Sequence, residues 1–263
     1  VSYGTSNAMH WGVKYEPVTI MIYEDLYKTK VGEFGCIRHS KYHYVGASPD
    51  GINILPSSEK YGTMLEIKNI VNREITGIPK EEYWIQTQIQ METCGLDNCD
   101  FVETRIKEYD NEDDFYKNST NSKYRGIVLH FINNDFSEIN NPTYRYMPLD
   151  ISLNPKSIDE WRTKEKEKET VNNMLLFNTL YWYLDEISCV LIQRNRTWFC
   201  KAIHTIKEVW DTIEKEKVEG YEHRSPKRRI PKTTVSIDDV SGSHTITNIP
   251  STNKFCLIKL DSK

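Results

Sequence analysis

Ala8, Trp11, Tyr15, Val18 and Ile22 recur at spacings of 3, 4, 3 and 4, the apolar face of one helix. Pro17 falls inside that pattern and predicts a kink or a restart, with the proline near a first turn. Glu16, just before it, is an acid in an otherwise apolar neighbourhood. Tyr42 to Ala47 then reads as a strand and Ile52 to Leu55 as another. Pro56 to Gly62 forms the hairpin loop before a strand at Met64–Lys68. In that strand Leu65 and Ile67 point into a core, while Glu66 and Lys68 project together from the other face.

Lys80 to Cys94 reads as a helix closed by Gly95 at the C-cap position. Gln86 and Gln90 lie one turn apart on one side of it, and Trp84, Gln88 and Met91 mark a second stripe. Phe101 to Ile106 alternates as a strand, Asp110 to Ser122 is a polar loop, and Gly126 to Ile132 is a further strand. Ser157 to Tyr183 is expected to be helical. It opens on the solvated run Lys164-Glu-Lys-Glu-Lys-Glu169 and turns apolar at Met174-Leu-Leu-Phe177. Ile187 to Arg194 reads as a strand and Trp198 to Lys217 as an amphipathic helix. A basic, proline-containing segment follows, from His223 to Arg229 with Lys232, and then a β-prone tail. This order predicts an α/β (α+β) fold with a mixed central sheet flanked by helices.

Composition narrows the class. Hydrophobic residues make up 38% and charged residues 27% of 263 residues, ordinary for a globular protein with a sizeable core. The expectation is one domain over 1–263: a core to about 150, a helical portion over about 155–220, and a basic segment and tail at 221–263. The 34 Lys and Arg stand against 38 Asp and Glu, so any nucleic-acid contact must rest on local patches rather than on global basicity. No apolar run approaches the roughly 18–20 residues of a membrane span, so no membrane partner is expected. The cysteines at 36, 94, 99, 189, 200 and 256 are scattered through a chain that needs no disulfide framework, which predicts reduced, intracellular thiols. Cys94 and Cys99 lack the compact four-ligand spacing of a zinc or iron–sulfur site. The chain begins at Val1 rather than at a methionine, and a truncated N-terminus is expected.

The chemistry centres on Gly46-Ala-Ser-Pro-Asp-Gly51 and Met64-Leu-Glu-Ile-Lys68. Asp50 between Pro49 and Gly51 favours a tight turn that can aim a carboxylate at the neighbouring strand. Two acids and a lysine converging there suit a magnesium ion with an adjacent cation, which together can activate water on a phosphodiester. The spacing is met equally well by a turn aspartate and a surface Glu/Lys pair. His39 and His43, which flank Lys41, could touch phosphate or could be ordinary strand histidines. The basic run from Arg224 to Lys232 suits either a phosphate backbone or a solvated linker.

Four motifs in order decide more than any one of them: Trp11-Gly-x-x-Tyr-Glu16, Ala47-Ser-Pro-Asp-Gly51, Leu65-Glu-Ile-Lys68, and Tyr83-Trp-Ile-Gln-Thr-Gln-Ile-Gln-Met91 with Gly95. Together they resemble the lambda-exonuclease (YqaJ-type viral recombinase) branch of the PD-(D/E)XK nucleases over roughly residues 8 to 106. A softer similarity to homologues from large cytoplasmic DNA viruses continues to Trp198-Phe199. The resemblance implies a restriction-endonuclease-like core. Asp50, Glu66 and the Ile67 carbonyl would be ligands of Mg²⁺ (or Mn²⁺), with Glu16 near the metal or its waters. Lys68 would be the catalytic lysine, and Gln86 would approach the scissile phosphate. Ser48, Gln88, Gln90, Arg224, Lys227, Arg228 and Arg229 are the candidate DNA contacts. The implied activity is 5′-to-3′ digestion of duplex DNA ends in viral recombination, replication or repair, in the host cytoplasm. A single-strand annealing protein and further copies of the chain are the other implied partners. Relatives use a helix upstream of Trp-Gly to bind the 5′ phosphate. Only ten residues precede Trp11 here, with Ser2, Thr5 and Ser6 as partial stand-ins.

Overall fold

The computed structural model describes residues 8–117, 122–135 and 142–225. The chain forms two compact units, Val1–Glu216 and Lys217–Lys263. In the second, the described residues are the end of the last helix and a 3₁₀ turn, Glu222–Arg224.

The first unit begins with helix α1 (Ala8–Tyr27). Short strands β1 (Val31–Gly32), β2 (Ile37–Arg38), β3 (Gly46–Ala47) and β4 (Gly51–Asn53) lead to β5 (Met64–Asn69). Helix α2 (Glu81–Cys94) then carries the chain back to β6 (Asn98–Glu108). Helix α3 (Glu112–Lys117), β7 (Arg125–Asn133), β8 (Thr143–Tyr146), α4 (Pro155–Val171), β9 (Met174–Gln193) and α5 (Arg196–Glu219) follow, the first unit ending within α5 at Glu216.

Among the described residues, seven strands form one mixed sheet in the order β1-β4-β5-β6-β9-β7-β8, and β2 pairs with β3 apart from it. The β5–β6 pair is parallel, with Glu66 beside Phe101 and Lys68 beside Glu103. Its crossover runs through α2, as parallel neighbours require. Every other pairing in the sheet is antiparallel. The expected mixed sheet flanked by helices is therefore the one observed.

Alternation along β5 decides what sits on each face. Leu65 and Ile67 pack with Tyr23 of α1 and Val102 of β6. Burying each such aliphatic side chain stabilises by about 1.5–3 kcal/mol. On the opposite face Met64 packs with Met91 of α2 and with Phe101. α1 also covers Ile106, Val128 and Trp182, while Phe115 of α3 and Ile158 and Trp161 of α4 cover Ile127 and Leu129. At the end of α2, Gly95 adopts φ 69° and the Leu96 N–H donates to the Met91 carbonyl at 2.9 Å. That is the Schellman stop read from the sequence.

Several predicted elements change. α1 runs unbroken through Pro17. Its missing N–H leaves only the Val13 carbonyl without a ladder partner, and Val13 is an exposed residue. The expected strand Tyr42–Ala47 shrinks to Gly46–Ala47, and Ile52–Leu55 shifts to Gly51–Asn53. The polar loop Asp110–Ser122 contains α3, whose first turn is acidic, as a helix N-terminus favours. The helix predicted over Ser157–Tyr183 ends at Val171, and residues 174–183 belong to the twenty-residue strand β9. Asn173, at φ 58°, makes the reversal between them.

Candidate active site

The turn before β4 and the face of β5 away from α1 meet at one cluster of polar side chains. β4 pairs antiparallel with β5, Gly51 opposite Leu65, which sets Asp50 beside the next stretch of β5. Asp50 Oδ2 accepts the Ile67 backbone N–H at 2.6 Å. Gly51 lets the edge strand β1 lie close against β4. A Cβ there would fall well inside contact distance of Val31 Cγ1 on the edge strand β1.

Glu66 is only 1% exposed, so its carboxylate requires partners. Gln86 Nε2 donates to Oε1 at 2.6 Å and Gln90 Nε2 donates to Oε2 at 2.8 Å. Lys68 Nζ also donates to Oε1. The Gln90 amide reaches the Ser48 carbonyl as well, at 3.2 Å, so one side chain of α2 ties the Asp50 turn to the Glu66 strand. Lys68 Nζ lies 5.2 Å from the centre of the Tyr83 ring, which also has Arg73 and Lys80 within 6 Å. Arg73 is in turn held by Glu103, the neighbour of Lys68 across the parallel pair.

The electrostatics are those of acids held too close together. Burial, and after it Glu66, pushes the Asp50 carboxyl up to about 7, with the Ile67 N–H pulling the other way. Glu16, half-buried on α1, is raised by burial and then by Glu66 and Glu33, with Lys68 opposing. Buried carboxyls such as Asp50 and Glu16, raised by burial and by the neighbouring Glu66, are relieved by a divalent cation. Glu66 accepts three hydrogen bonds out of about four lone-pair sites, which leaves room for one further contact. Among the described residues no three His, Cys, Asp or Glu side chains make a ready cage. Mg²⁺ does not need one, since it keeps several waters and takes one or two carboxylates. The donor set therefore suits Mg²⁺.

The structure thus brings together Glu16, Asp50, Glu66, Lys68 and Gln86. Gln90, read from the sequence as a DNA contact, is buried and committed to Glu66 and Ser48. Gln88 is likewise buried: its Nε2 donates to the Gln193 carbonyl at 3.0 Å and its Oε1 accepts from the Asn195 N–H at 2.6 Å. Both side chains are hydrogen-bonded within the protein. The side chain of Ser48 is exposed beside the site. Arg224 lies in the turn Glu222–Arg224, while Lys227, Arg228, Arg229 and Lys232 fall outside the described residues, as do Ser2, Thr5 and Ser6. His39 is buried and its Nδ1 accepts from the backbone N–H of Lys41 and Tyr42, which makes it a loop fastener. The five described cysteines are free thiols. The Gln90–Glu66 bond was missed from sequence, although Gln90 stands one turn from Gln86 on the same helix side.

Part of the chain is similar to known proteins. Residues 2–97 match the YqaJ-like viral recombinase domain, the resemblance its motifs had pointed to. An uncharacterised protein of Acanthamoeba polyphaga mimivirus is 30% identical over 237 residues, covering 78% of this chain and 43% of that protein. The chain thus spans less than half the length of that relative. The alkaline exonuclease of Laribacter hongkongensis is similar at 23% identity, covering 64% of this chain and 73% of that one, with a TM-score of 0.32. Its complex with dAMP gives 25% identity at the same coverage and TM-score.

Proposed function

We propose that the chain is a metal-dependent deoxyribonuclease, an exonuclease that digests duplex DNA from its ends in the 5′-to-3′ direction. The observation that carries this reading is the grip of Gln86, Gln90 and Lys68 on the buried Glu66, with Asp50 bonded to the next residue's N–H. The YqaJ-like domain match over residues 2–97 supports it.

In this reading Asp50, Glu66 and the Ile67 carbonyl would hold Mg²⁺, for which Mn²⁺ can substitute, and Glu16 would lie near the ion or its waters. The ion supplies positive charge against the phosphate and makes water a stronger acid. The chain's own residues do the rest. Lys68 keeps its ammonium between Glu66 and the Tyr83 face, so it reaches the attacking water or the phosphate as a fixed donor rather than a mobile chain. Gln86 Nε2 holds Glu66 in place and offers its remaining proton toward the phosphate. Arg73 and Lys80, beside the same ring, extend the cationic surface along which a DNA backbone can lie.

The relative from a large DNA virus makes viral recombination, replication or repair in the host cytoplasm the proposed setting. A single-strand annealing protein and further copies of the chain are the proposed partners. No helix among the described residues is long and apolar enough to cross a membrane. The test is end dependence. With Mg²⁺ the protein should release nucleotides from linear duplex and leave covalently closed circles intact. Cutting of closed circles would assign an endonuclease instead.

A further inference from the structure

On its α1 side, β5 presents Leu65 and Ile67 to an apolar core and then one polar side chain, Asn69. Thr19 Oγ1 donates to Asn69 Oδ1 at 2.8 Å, and Thr104 Oγ1 donates to the same oxygen at 2.7 Å. Asn69 Nδ2 donates to the Gly12 carbonyl at 3.1 Å. Both threonines are fully buried. Three elements, α1, β5 and β6, therefore meet on one amide.

The positions it grips on α1 are informative. Gly12, Glu16 and Thr19 stand at i, i+4 and i+7, one stripe of the helix. The carbonyl of residue 12 is the one that the amide of residue 16 bonds in a regular helix, and Asn69 takes its second lone pair. The bonds thus fall one turn before and one turn after Glu16. This is also where α1 is weakest, because Pro17 removes a ladder hydrogen bond. At its other end Asn69 directly follows Lys68, and alternation along a strand sends the two side chains to opposite faces. One residue fixes both the helix that carries Glu16 and the strand that carries Glu66 and Lys68.

We infer that Asn69 is a positioning residue that sets Glu16 against the Asp50–Glu66 pair and thereby strengthens the hold of the site on a divalent cation. The inference rests on the metal-site reading above. A polar group that only knitted α1 to the sheet would stabilise the fold and leave cation affinity alone, so affinity is the quantity to measure.

The experiment is a double-mutant cycle on Mn²⁺ affinity, read by calorimetry on the full chain without DNA. It compares wild type, Glu16→Gln, Asn69→Ala and the double variant. Each single change should weaken Mn²⁺ binding by about tenfold, the loss typical of outer-shell partners. The double variant should bind no more weakly than Glu16→Gln alone, because Asn69 acts through Glu16. Wild-type affinity in Asn69→Ala, or losses that simply multiply, would overturn the inference while leaving the metal site standing. A wild-type chain that binds no Mn²⁺ would overturn both. If circular dichroism shows Asn69→Ala unfolded, Thr19→Val takes its place in the cycle. That change keeps the side-chain volume, removes one bond to Asn69, and should cost roughly threefold in wild type and nothing in Glu16→Gln. An equal loss in both backgrounds would overturn the inference.

Discussion

Asp50 Oδ2 accepts the backbone N–H of Ile67 at 2.6 Å, which fastens a turn carboxylate to the residue between Glu66 and Lys68. The bond sets the distance between the two acids without a side chain from either strand, so backbone pairing of β4 with β5 is itself part of the site. It also holds Asp50 where burial and Glu66 both oppose its charge. The site is built under electrostatic tension that an ion would release.

That tension has a pH signature. In the folded chain Asp50 titrates near 7 rather than at the ordinary 3.8, so between those values the folded state binds more protons than the unfolded one. Stability without metal therefore falls as pH rises from about 4 to about 7, and the loss is complete above that. Asp50→Asn abolishes it. In chelator, this variant should melt roughly 2–6 °C above wild type at pH 8, and no higher than wild type near pH 4. An equal difference at both pH values would contradict the assignment.

Gln90 is the second place where site and fold coincide. Its amide serves Glu66 Oε2 and the Ser48 carbonyl together. Gln90→Ala strips a buried carboxylate oxygen of its donor and should cost about 1–3 kcal/mol in urea unfolding. Gln86, which is half-buried, leaves Glu66 Oε1 with Lys68 when removed, so Gln86→Ala should cost less stability.

Gly51 tests how the pairing of β1 with β4 supports the Asp50 turn. A methyl group at this position would drive into Val31 Cγ1 and push β1 off β4 beside Asp50. Gly51→Ala should destabilise by about 1–3 kcal/mol, as overpacking does. Val31→Ala in the same chain should return part of that loss, which a thermal melt of the double variant would read. No recovery would mean the strain lies elsewhere.

What the sequence disclosed followed from how local each signal was. Leu65-Glu-Ile-Lys68 could be read because one face of that strand must be apolar and the other is free to carry chemistry. Gly95 could be read because the left-handed cap it forms depends on a single residue. Glu16, Asp50 and Glu66 each lay in a legible motif, but the effect of Glu66 on the other two depends on their separation in space. β9 was misread over 174–183 because Met174-Leu-Leu-Phe177 is a continuous apolar run with no period to separate helix from strand. Asn172-Asn173 was the available stop signal, and the β-prone Tyr181-Trp-Tyr183 supported it. Asn69 gave no signal of its own. Its role depends on Gly12, Thr19 and Thr104, which are far apart in the chain.

The proposed function requires Asp50, Glu66 and Lys68 to form one hydrolytic site. The most direct measurement is release of acid-soluble nucleotides from linear duplex DNA by wild type, Asp50→Ala and Lys68→Ala, each with Mg²⁺ and with chelator. Wild type should release nucleotides only with Mg²⁺, and each variant should lose at least about 100-fold, with the fold intact by circular dichroism. Full activity in either variant, or release by wild type that persists in chelator, would contradict it.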